Sequence, residues 1–218
     1  MEMIGQHTSN GRYGLPQELI NFGISMINGF NKYLQLKTNL KEDEIDYVIS
    51  LAVPRKLRRN EFILQEGEIC RYKFFVVSGL LRTFSISSDG SEHIIRFSQE
   101  NTWTLDKESY DLETPARTNI SAVEQCNILL WTKANFERLN EELPALKNFT
   151  TQLTVDNIYI SSQRLQTTLS STPEEKYQDF VQHHPELLLR LPLKMIAAYL
   201  GMSLRTLDRI RHSQLPHS

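Results

Sequence analysis

The sequence predicts an α+β protein in which a small antiparallel β-roll is followed by a long helix and a C-terminal helix-turn-helix. Three observations support this prediction. Short apolar runs separated by turn residues fill the middle of the chain, and an apolar helical period extends for about 27 residues from Leu143. Near the C-terminus, Gly201 separates two short amphipathic segments.

Composition limits the classes of protein that this chain can belong to. Its 218 residues, of which 40% are hydrophobic and 23% charged, suit a globular protein of two domains. A net charge of -2 argues against binding nucleic acid or membrane through bulk charge. The cysteines, Cys70 and Cys126, lack the spacing of a disulfide framework or a metal cluster. No apolar run approaches the ~18 to 20 residues of a membrane span, so we expect a cytoplasmic protein.

Changes of pattern divide the chain into four parts. We expect a partly helical extension over residues 1–38, the β-roll over 39–140, a dimerisation helix over 141–170 and the helix-turn-helix over 171–218. A short helix starts near Leu40 and stops before Pro54.

Short strands with tight turns predict the roll. The predicted strands cover residues 61–64, 73–77, 80–86 and 93–97, the last two joined by a turn at 88–91, and strand character returns over 118–131. Residues 98–115 are expected to be irregular, and helical periodicity resumes at Leu139.

The long helix carries two apolar faces. The first is formed by Leu146, Phe149, Leu153 and Ile160, and the second by Val155, Ile158, Leu165 and Leu169. Such a helix can bury both faces if one packs on its own domain and the other on a second copy, which predicts a homodimer. The alternative is a single thick buried stripe in a monomer.

A new domain is predicted to begin at residues 172–175. Thr172 can cap a helix, Pro173 suits the first helical position, and Glu175 completes a capping box. Further on, Ala197 provides the small residue where two helices cross closely, and Gly201 provides the positive φ of the turn. The apolar residues that lock the two helices together are Ile196, Leu200, Met202, Leu207 and Ile210.

The second of these helices has the features of a DNA-binding helix. Between Arg190 and Arg211 there are five cations against one anion. Arg205, early in the helix, can pair with guanine, whereas the other cations neutralise phosphates. The predicted DNA-binding residues are Lys194, Ser203, Leu204, Arg205, Thr206, Arg209 and Arg211, with Ser203 also capping the helix. The alternative is a packed αα-hairpin whose cations face solvent.

This order of parts resembles the Crp/Fnr family of bacterial transcription regulators over about residues 40 to 212. The resemblance is carried by Gly67 with Glu68, Gly79, the turn at 88–90, the long helix and residues 196–211, which look most like the family's Bacteroidetes-type branch. It implies a cyclic-nucleotide-binding-like roll, also called a double-stranded β-helix. It also implies a homodimer that binds double-stranded operator DNA, and RNA polymerase as a partner.

The family's cyclic-nucleotide binders hold the ligand with a Gly-Glu pair and an Arg followed by Ser or Thr. Arg117 and Thr118 match the second half, but Leu105 stands near the position of the glycine. The resemblance therefore implies an effector domain that does not bind cyclic AMP in the standard way, with candidate pocket residues Asp106, Glu108, Arg117 and Thr118. Lys107 could pair with Asp106 or Glu108, and Arg117 could be an ordinary strand arginine paired with a carboxylate. No cofactor is predicted, and the effector is unknown.

Two rival functions remain open at this point. Family members usually continue into a β-hairpin wing, whereas residues 213–218 are too few for one, so the chain could be a ligand-sensing or partner-binding module without DNA binding. A cupin-like metalloenzyme would need convergent histidines, but the roll contains only His93, and His183 with His184 flank a helix end. No catalytic motif is found, so the chain is not expected to be an enzyme.

Overall fold

The computed structural model describes residues 23–213. In chain order the elements are α1 (Ile24–Lys37), α2 (Glu42–Ser50), β1 (Val53–Leu57), β2 (Phe62–Leu64), β3 (Tyr72–Ser78), β4 (Leu81–Ile86), β5 (Glu92–Ser98), β6 (Thr102–Thr104), α3 (Lys107–Leu112), β7 (Asn119–Ala122), β8 (Cys126–Thr132), α4 (Lys133–Glu142), α5 (Pro144–Ser170), α6 (Pro173–His183), α7 (Pro185–Arg190), α8 (Leu193–Leu200) and α9 (Leu204–Ser213).

The strands form two four-stranded antiparallel sheets. One has the order β1-β8-β3-β6 and the other β2-β7-β4-β5. Apolar residues between them, including Leu57, Phe74, Val76, Ile120 and Ile128, form the core of the roll. The β4–β5 hairpin forms as predicted around Gly90, whose φ is 82°. The predicted α+β fold with an antiparallel roll is therefore confirmed.

A second core lies on the outer face of the β1-β8-β3-β6 sheet. Phe30 of α1 packs there against Phe75 and Trp131, and Trp131 Nε1 donates a hydrogen bond to the carbonyl of Val48 in α2 at 2.9 Å. The helix α1 lies within the extension predicted as partly helical, while residues 1–22 lie outside the described residues. Helix α1 thus covers one side of the roll and contributes to this second core.

Three parts of the structure differ from the sequence prediction. The segment 98–115, expected to be irregular, contains strand β6 and helix α3, because β6 pairs with β3 and Asp106 caps α3. The first strand, β1, begins at Val53 and contains Pro54, which it accommodates as an edge strand beside β8. Helix α4 begins at Lys133, six residues before the predicted start, because Thr132 caps it. Each of these depends on pairing or capping rather than on an extended apolar period.

The C-terminal helices dock on the roll. The 27-residue helix α5 connects the two parts, as its apolar period predicts. Beyond it, α6 begins with the predicted capping box of Thr172 and Glu175. Buried residues of α6 to α9 share one cluster with Leu80 and Val123 of the roll, so the last four helices are packed against the roll rather than separate from it.

Candidate DNA interface and ligand groove

Helices α8 and α9 form the predicted helix-turn-helix. Gly201 ends α8 with a φ of 66°, and the backbone N–H of Met202 donates to the carbonyl of Ala197 at 3.0 Å. Ala197 is buried where the helices meet, and so are the locking residues Ile196, Leu200, Leu207 and Ile210, while Met202 is half-buried. The small residue and the turn glycine therefore have the roles that their spacing predicts.

The N-terminus of α9 is capped and open to solvent. Ser203 Oγ accepts a hydrogen bond from the N–H of Thr206 at 3.1 Å. Leu204 and Arg205, the next two residues, are exposed. An exposed helix start with an arginine on it has the geometry with which a recognition helix contacts base edges.

The cations near this helix fall into two groups. Within residues 23–213, Lys194, Arg205 and Arg211 are exposed and make no ion pair. Arg209, also exposed, pairs with Glu174 at 3.1 Å, which keeps its guanidinium beside α6. Three predicted DNA-binding cations are thus free to meet phosphates or bases.

The fifth cation, Arg190, has a different role from the one that the charge count indicates. Its guanidinium binds Glu100 of the roll at 2.9 Å and also Glu124, and both hydrogen bonds raise the pKa of Arg190. Its charge is therefore neutralised inside the molecule, so counting it with the DNA-facing cations is wrong. Sequence spacing could not show this, because the partners lie 90 and 66 residues away.

Arg164 of the long helix joins α5 to both the roll and the helix-turn-helix. One of its guanidinium nitrogens donates to the carbonyls of Ile94 in β5 at 2.8 Å and Tyr199 in α8 at 3.0 Å. The guanidinium also lies 3.8 Å from the centre of the Tyr199 ring. Arg164 thus links α5 to both the roll and α8, and Arg190 links α7 to the roll.

The long helix buries the first of its predicted faces only in part. Leu146 is buried in the core beside the roll, and Phe149 and Leu153 pack against that core. Ile160 belongs to the same stripe by spacing but is 59% exposed, because it lies beyond that core. The second face is largely open: Ile158, Leu165 and Leu169 are exposed, and Val155 is half-buried.

A groove of about 770 Å³ lies between the roll and α5. Of the four predicted effector residues, Asp106 and Thr118 line it and are joined by a 2.7 Å hydrogen bond. Arg117 and Glu108 do not line it; their side chains are 83% and 57% exposed and lie 3.8 Å apart. The structure therefore places only two of these four residues in the groove. Arg117 has the carboxylate partner that the alternative interpretation expects, but it precedes β7 and does not lie on a strand.

The pairing predicted for Lys107 is wrong. Its ammonium group contacts Asp111, one helical turn away, rather than Asp106 or Glu108. Asp106 is instead occupied as the cap of α3, where it accepts from the N–H of Ser109 at 3.1 Å. Both assignments follow from α3, the helix that the sequence prediction missed.

Two groove residues were not singled out from the sequence. Lys73 lies on β3 with its ammonium 4.2 Å from the centre of the Phe136 ring and 5.1 Å from that of Trp103. Its only sequence signal is a lysine at the start of the apolar run 73–77. Arg96 lines the groove from β5.

Neither a metal centre nor a membrane span is found in the described part of the chain. Within residues 23–213, no cluster of three or more histidine, cysteine, aspartate or glutamate side chains is placed to hold a metal ion. His183 and His184 stand at the end of α6, as expected. Among the same residues, none of the helices combines the length and apolar character needed to cross a bilayer.

Comparisons with known proteins agree with this architecture. Residues 54–142 match the family model of the cyclic nucleotide-binding domain. The transcriptional activator protein Anr of Pseudomonas aeruginosa is 25% identical over 186 residues, which cover 77% of this chain and 72% of that protein. FixK2 from Bradyrhizobium japonicum superposes with a TM-score of 0.65 at 19% identity, over 77% of this chain and 89% of that one. The c-di-GMP responsive global regulator CLP from Xanthomonas campestris gives 0.67 at 11% identity, over 82% and 95%.

Proposed function

We propose that the chain is a transcription regulator of the Crp/Fnr family that binds operator DNA as a homodimer through α9. Members of this family bind DNA as dimers and contact RNA polymerase. We infer the same partners for this chain, in the cytoplasm and without a catalytic activity of its own. The proposed parts are the extension 1–38, the roll 39–140 as sensor, the dimerisation helix 141–170 and the DNA-binding unit 171–218.

The observation that carries this proposal is the exposed, capped start of α9. Arg205 is free of any ion pair within residues 23–213 and lies next to the Ser203 cap. Arg205 would contact guanine in the major groove, while Ser203, Leu204 and Thr206 would lie against the DNA backbone and base edges. Lys194 and Arg211 would neutralise phosphates, and Arg209 would do so only after leaving Glu174.

The second face of α5 supports the homodimer. It consists of Val155, Ile158, Leu165 and Leu169, which lie on one side of the helix and outside the buried core, although Ile158 and Leu165 also line the groove between α5 and the roll. Pairing this face with its copy would remove apolar surface from water and place the two recognition helices for half-sites about 34 Å apart. In this arrangement Leu146, Phe149 and Leu153 anchor the dimerisation helix to the roll, while Ile160 stays outside the seam.

The roll is proposed to act as an effector domain that does not hold a cyclic nucleotide in the standard way. Arg117, the residue that the resemblance assigns to the cyclic phosphate, is exposed and paired with Glu108 outside the groove. Thr118 is bonded to Asp106, whose carboxylate would repel a phosphate at that position. A screen of cyclic nucleotides is therefore expected to give no binding that depends on Arg117.

Two substitutions in α9 test the DNA-binding proposal. Arg205→Ala is expected to cost about 1 to 3 kcal/mol on the preferred sequence and to relax preference at one base pair, because it removes a contact to a base. Arg211→Ala is expected to weaken binding to all sequences alike, since it removes a phosphate contact. Fluorescence anisotropy with a selected site and a scrambled site measures both effects.

The DNA-binding proposal requires that Arg205→Ala and Arg211→Ala differ in their effects on selected and scrambled DNA. If each loses the same factor on selected and scrambled DNA, α9 does not contact bases as proposed. If neither wild-type nor variant protein binds DNA while folded and dimeric, the chain is a partner-binding module instead.

A further inference from the structure

The connection between β1 and β2 carries a run of cations that the protein leaves largely unpaired. From Arg55 to Glu61 the sequence contains four cations and one anion, in a chain whose net charge is -2. Arg55 pairs with Glu61 at 3.1 Å. The side chains of Lys56, Arg58 and Arg59 are exposed and make no ion pair in the described part of the chain. These three residues, which we call the basic turn, therefore keep an excess of positive charge on the surface of the roll.

Hydrogen bonds to the roll fix the backbone beside these cations. The N–H of Asn60 donates to the carbonyl of Ala122 in β7 at 2.8 Å, and the N–H of Ala122 donates to the carbonyl of Glu61 at 2.9 Å. The N–H of Arg58 donates to the carboxylate of Glu61 at 3.0 Å. The basic turn is therefore presented from a fixed backbone, so an anion can bind to it without first ordering a loop.

The end of β7 connects the basic turn with the proposed DNA-binding unit. Ala122 holds the turn, and the next residue, Val123, is buried in the cluster that includes residues of α6 to α9. Glu124, one residue further along, binds Arg190 of α7. Three consecutive residues thus link the turn to the C-terminal helices. The basic turn therefore lies on the part of the roll against which the DNA-binding unit packs.

The chemistry of this surface suits a phosphate backbone better than a protein partner. Leu57, the apolar residue within the run, is buried, so the segment from Arg55 to Arg59 exposes charged side chains only. The centre of a protein interface is depleted of charged residues, whereas arginine and lysine are common donors to phosphate oxygens. A DNA duplex carries one negative charge per about 1.7 Å of its axis and continues beyond the bases that α9 would contact. The flanking part of the same duplex is therefore a polyanion that can reach the basic turn.

We propose that the basic turn binds the phosphate backbone of the duplex on the outer side of each operator half-site. This role rests on the proposed function, because it requires that α9 contact the half-site. Arg58 and Arg59 would each neutralise a phosphate without reading the base sequence, and Lys56 would strengthen the local positive field. In a homodimer, two basic turns would extend the bound DNA at both ends and increase affinity for the operator without changing the preferred sequence.

Duplexes of two lengths test this proposal. One carries the selected site alone, and the other carries the same site with about one helical turn of unrelated sequence, roughly 10 base pairs, at each end. We expect the flanks to increase the affinity of wild-type protein at least about fivefold and to steepen its dependence on salt, because each neutralised phosphate adds about 0.9 to the slope. Changing the sequence of the flanks should leave the gain unchanged. Fluorescence anisotropy over a range of potassium chloride concentrations measures these effects.

Two double variants that change the net charge equally identify the residues responsible. Arg58→Gln combined with Arg59→Gln should bind the selected site alone within about twofold of wild type and lose most of the gain from the flanks. Lys32→Gln combined with Lys37→Gln is the control. These lysines are also exposed, but they lie on α1, which packs in a cluster that contains no residue of α6 to α9. The lysine variant should keep the gain.

Three results would overturn the proposal and leave the proposed function standing. Wild-type protein could bind the selected site and gain nothing from the flanks, or the arginine variant could keep the whole gain, which would leave the basic turn to an acidic protein partner. Equal losses in the arginine and lysine variants would reduce the effect to net charge. Failure of folded, dimeric wild-type protein to bind the selected site at all would instead contradict the proposed function, and this proposal with it.

Discussion

Ile158→Glu is expected to convert the protein to a monomer. The variant would place two unpaired carboxylates near the axis of an apolar dimer seam, where burial without a partner is costly and the like charges repel. We expect the dimer to weaken at least about 1,000-fold, roughly 4 kcal/mol, with a parallel loss of affinity for a two-half-site operator. Sedimentation equilibrium measures the first effect and fluorescence anisotropy the second.

The chain offers a matched control for this substitution. Ile160 is the same residue type and is 59% exposed, as Ile158 is, but it lies about 200° around the helix, on the side that faces the core at its other end. Ile160→Glu should therefore remain dimeric. Equal dissociation of both variants, or a dimer that survives Ile158→Glu, would show that the seam lies elsewhere.

Gly79→Ala is expected to cause the largest loss of stability. Gly79 has a φ of 95°, and a Cβ there would lie 2.5 Å from the carbonyl oxygen of Gln125 and 2.7 Å from Sγ of Cys126. Two of the contacted atoms, the oxygen of Gln125 and Cα of Cys126, belong to the backbone where the chain enters β8, so the free energy of unfolding should fall by at least about 3 kcal/mol. The midpoint of urea denaturation measures the change.

Gly67→Ala separates the cost of the positive φ from the cost of the steric clash with the chain at β8. Gly67 has a similar φ of 89°, but a Cβ there would meet no atom within 4 Å. It should lose only the cost of the backbone conformation, about 1 to 2 kcal/mol. If the two variants are equally unstable, the close approach of β8 to Gly79 is not the cause.

The consequence of Gly79→Ala extends to the DNA-binding unit. The N–H of Gly79 donates to Glu100 at 2.8 Å, and Glu100 in turn binds Arg190 of α7. The next residue, Leu80, is buried in the cluster that includes α6 to α9. A shift at Gly79 therefore disturbs the junction through which the roll and the helix-turn-helix are held together.

The parts that the sequence predicted well depend on local rules. Gly201 adopts a positive φ that few other residue types tolerate. Thr172 and Glu175 form a capping box within four residues. The long helix has a period that persists over seven turns. Each of these signals can be recognised without knowing what the segment packs against.

The parts that were missed depend on contacts between distant residues. Strand β6 has three residues, too few for a period, and exists because it pairs with β3. Arg190 is held by Glu100, and Arg117 lies 3.8 Å from Glu108 on the unpredicted α3. Lys73 looks like an ordinary strand lysine until the fold brings Phe136 beneath it. Charge counts along the chain could not distinguish cations used inside the molecule from those available to a ligand.

The dependence of DNA binding on salt and sequence tests the central claim most directly. Anisotropy titrations would compare a site selected from random sequence with its scrambled form over a range of potassium chloride concentrations. A dimer that binds through α9 should prefer the selected site by about 1,000-fold or more, and its affinity should fall steeply as salt increases. Equal affinity for both DNAs, or no binding at low salt by folded dimeric protein, would contradict the account.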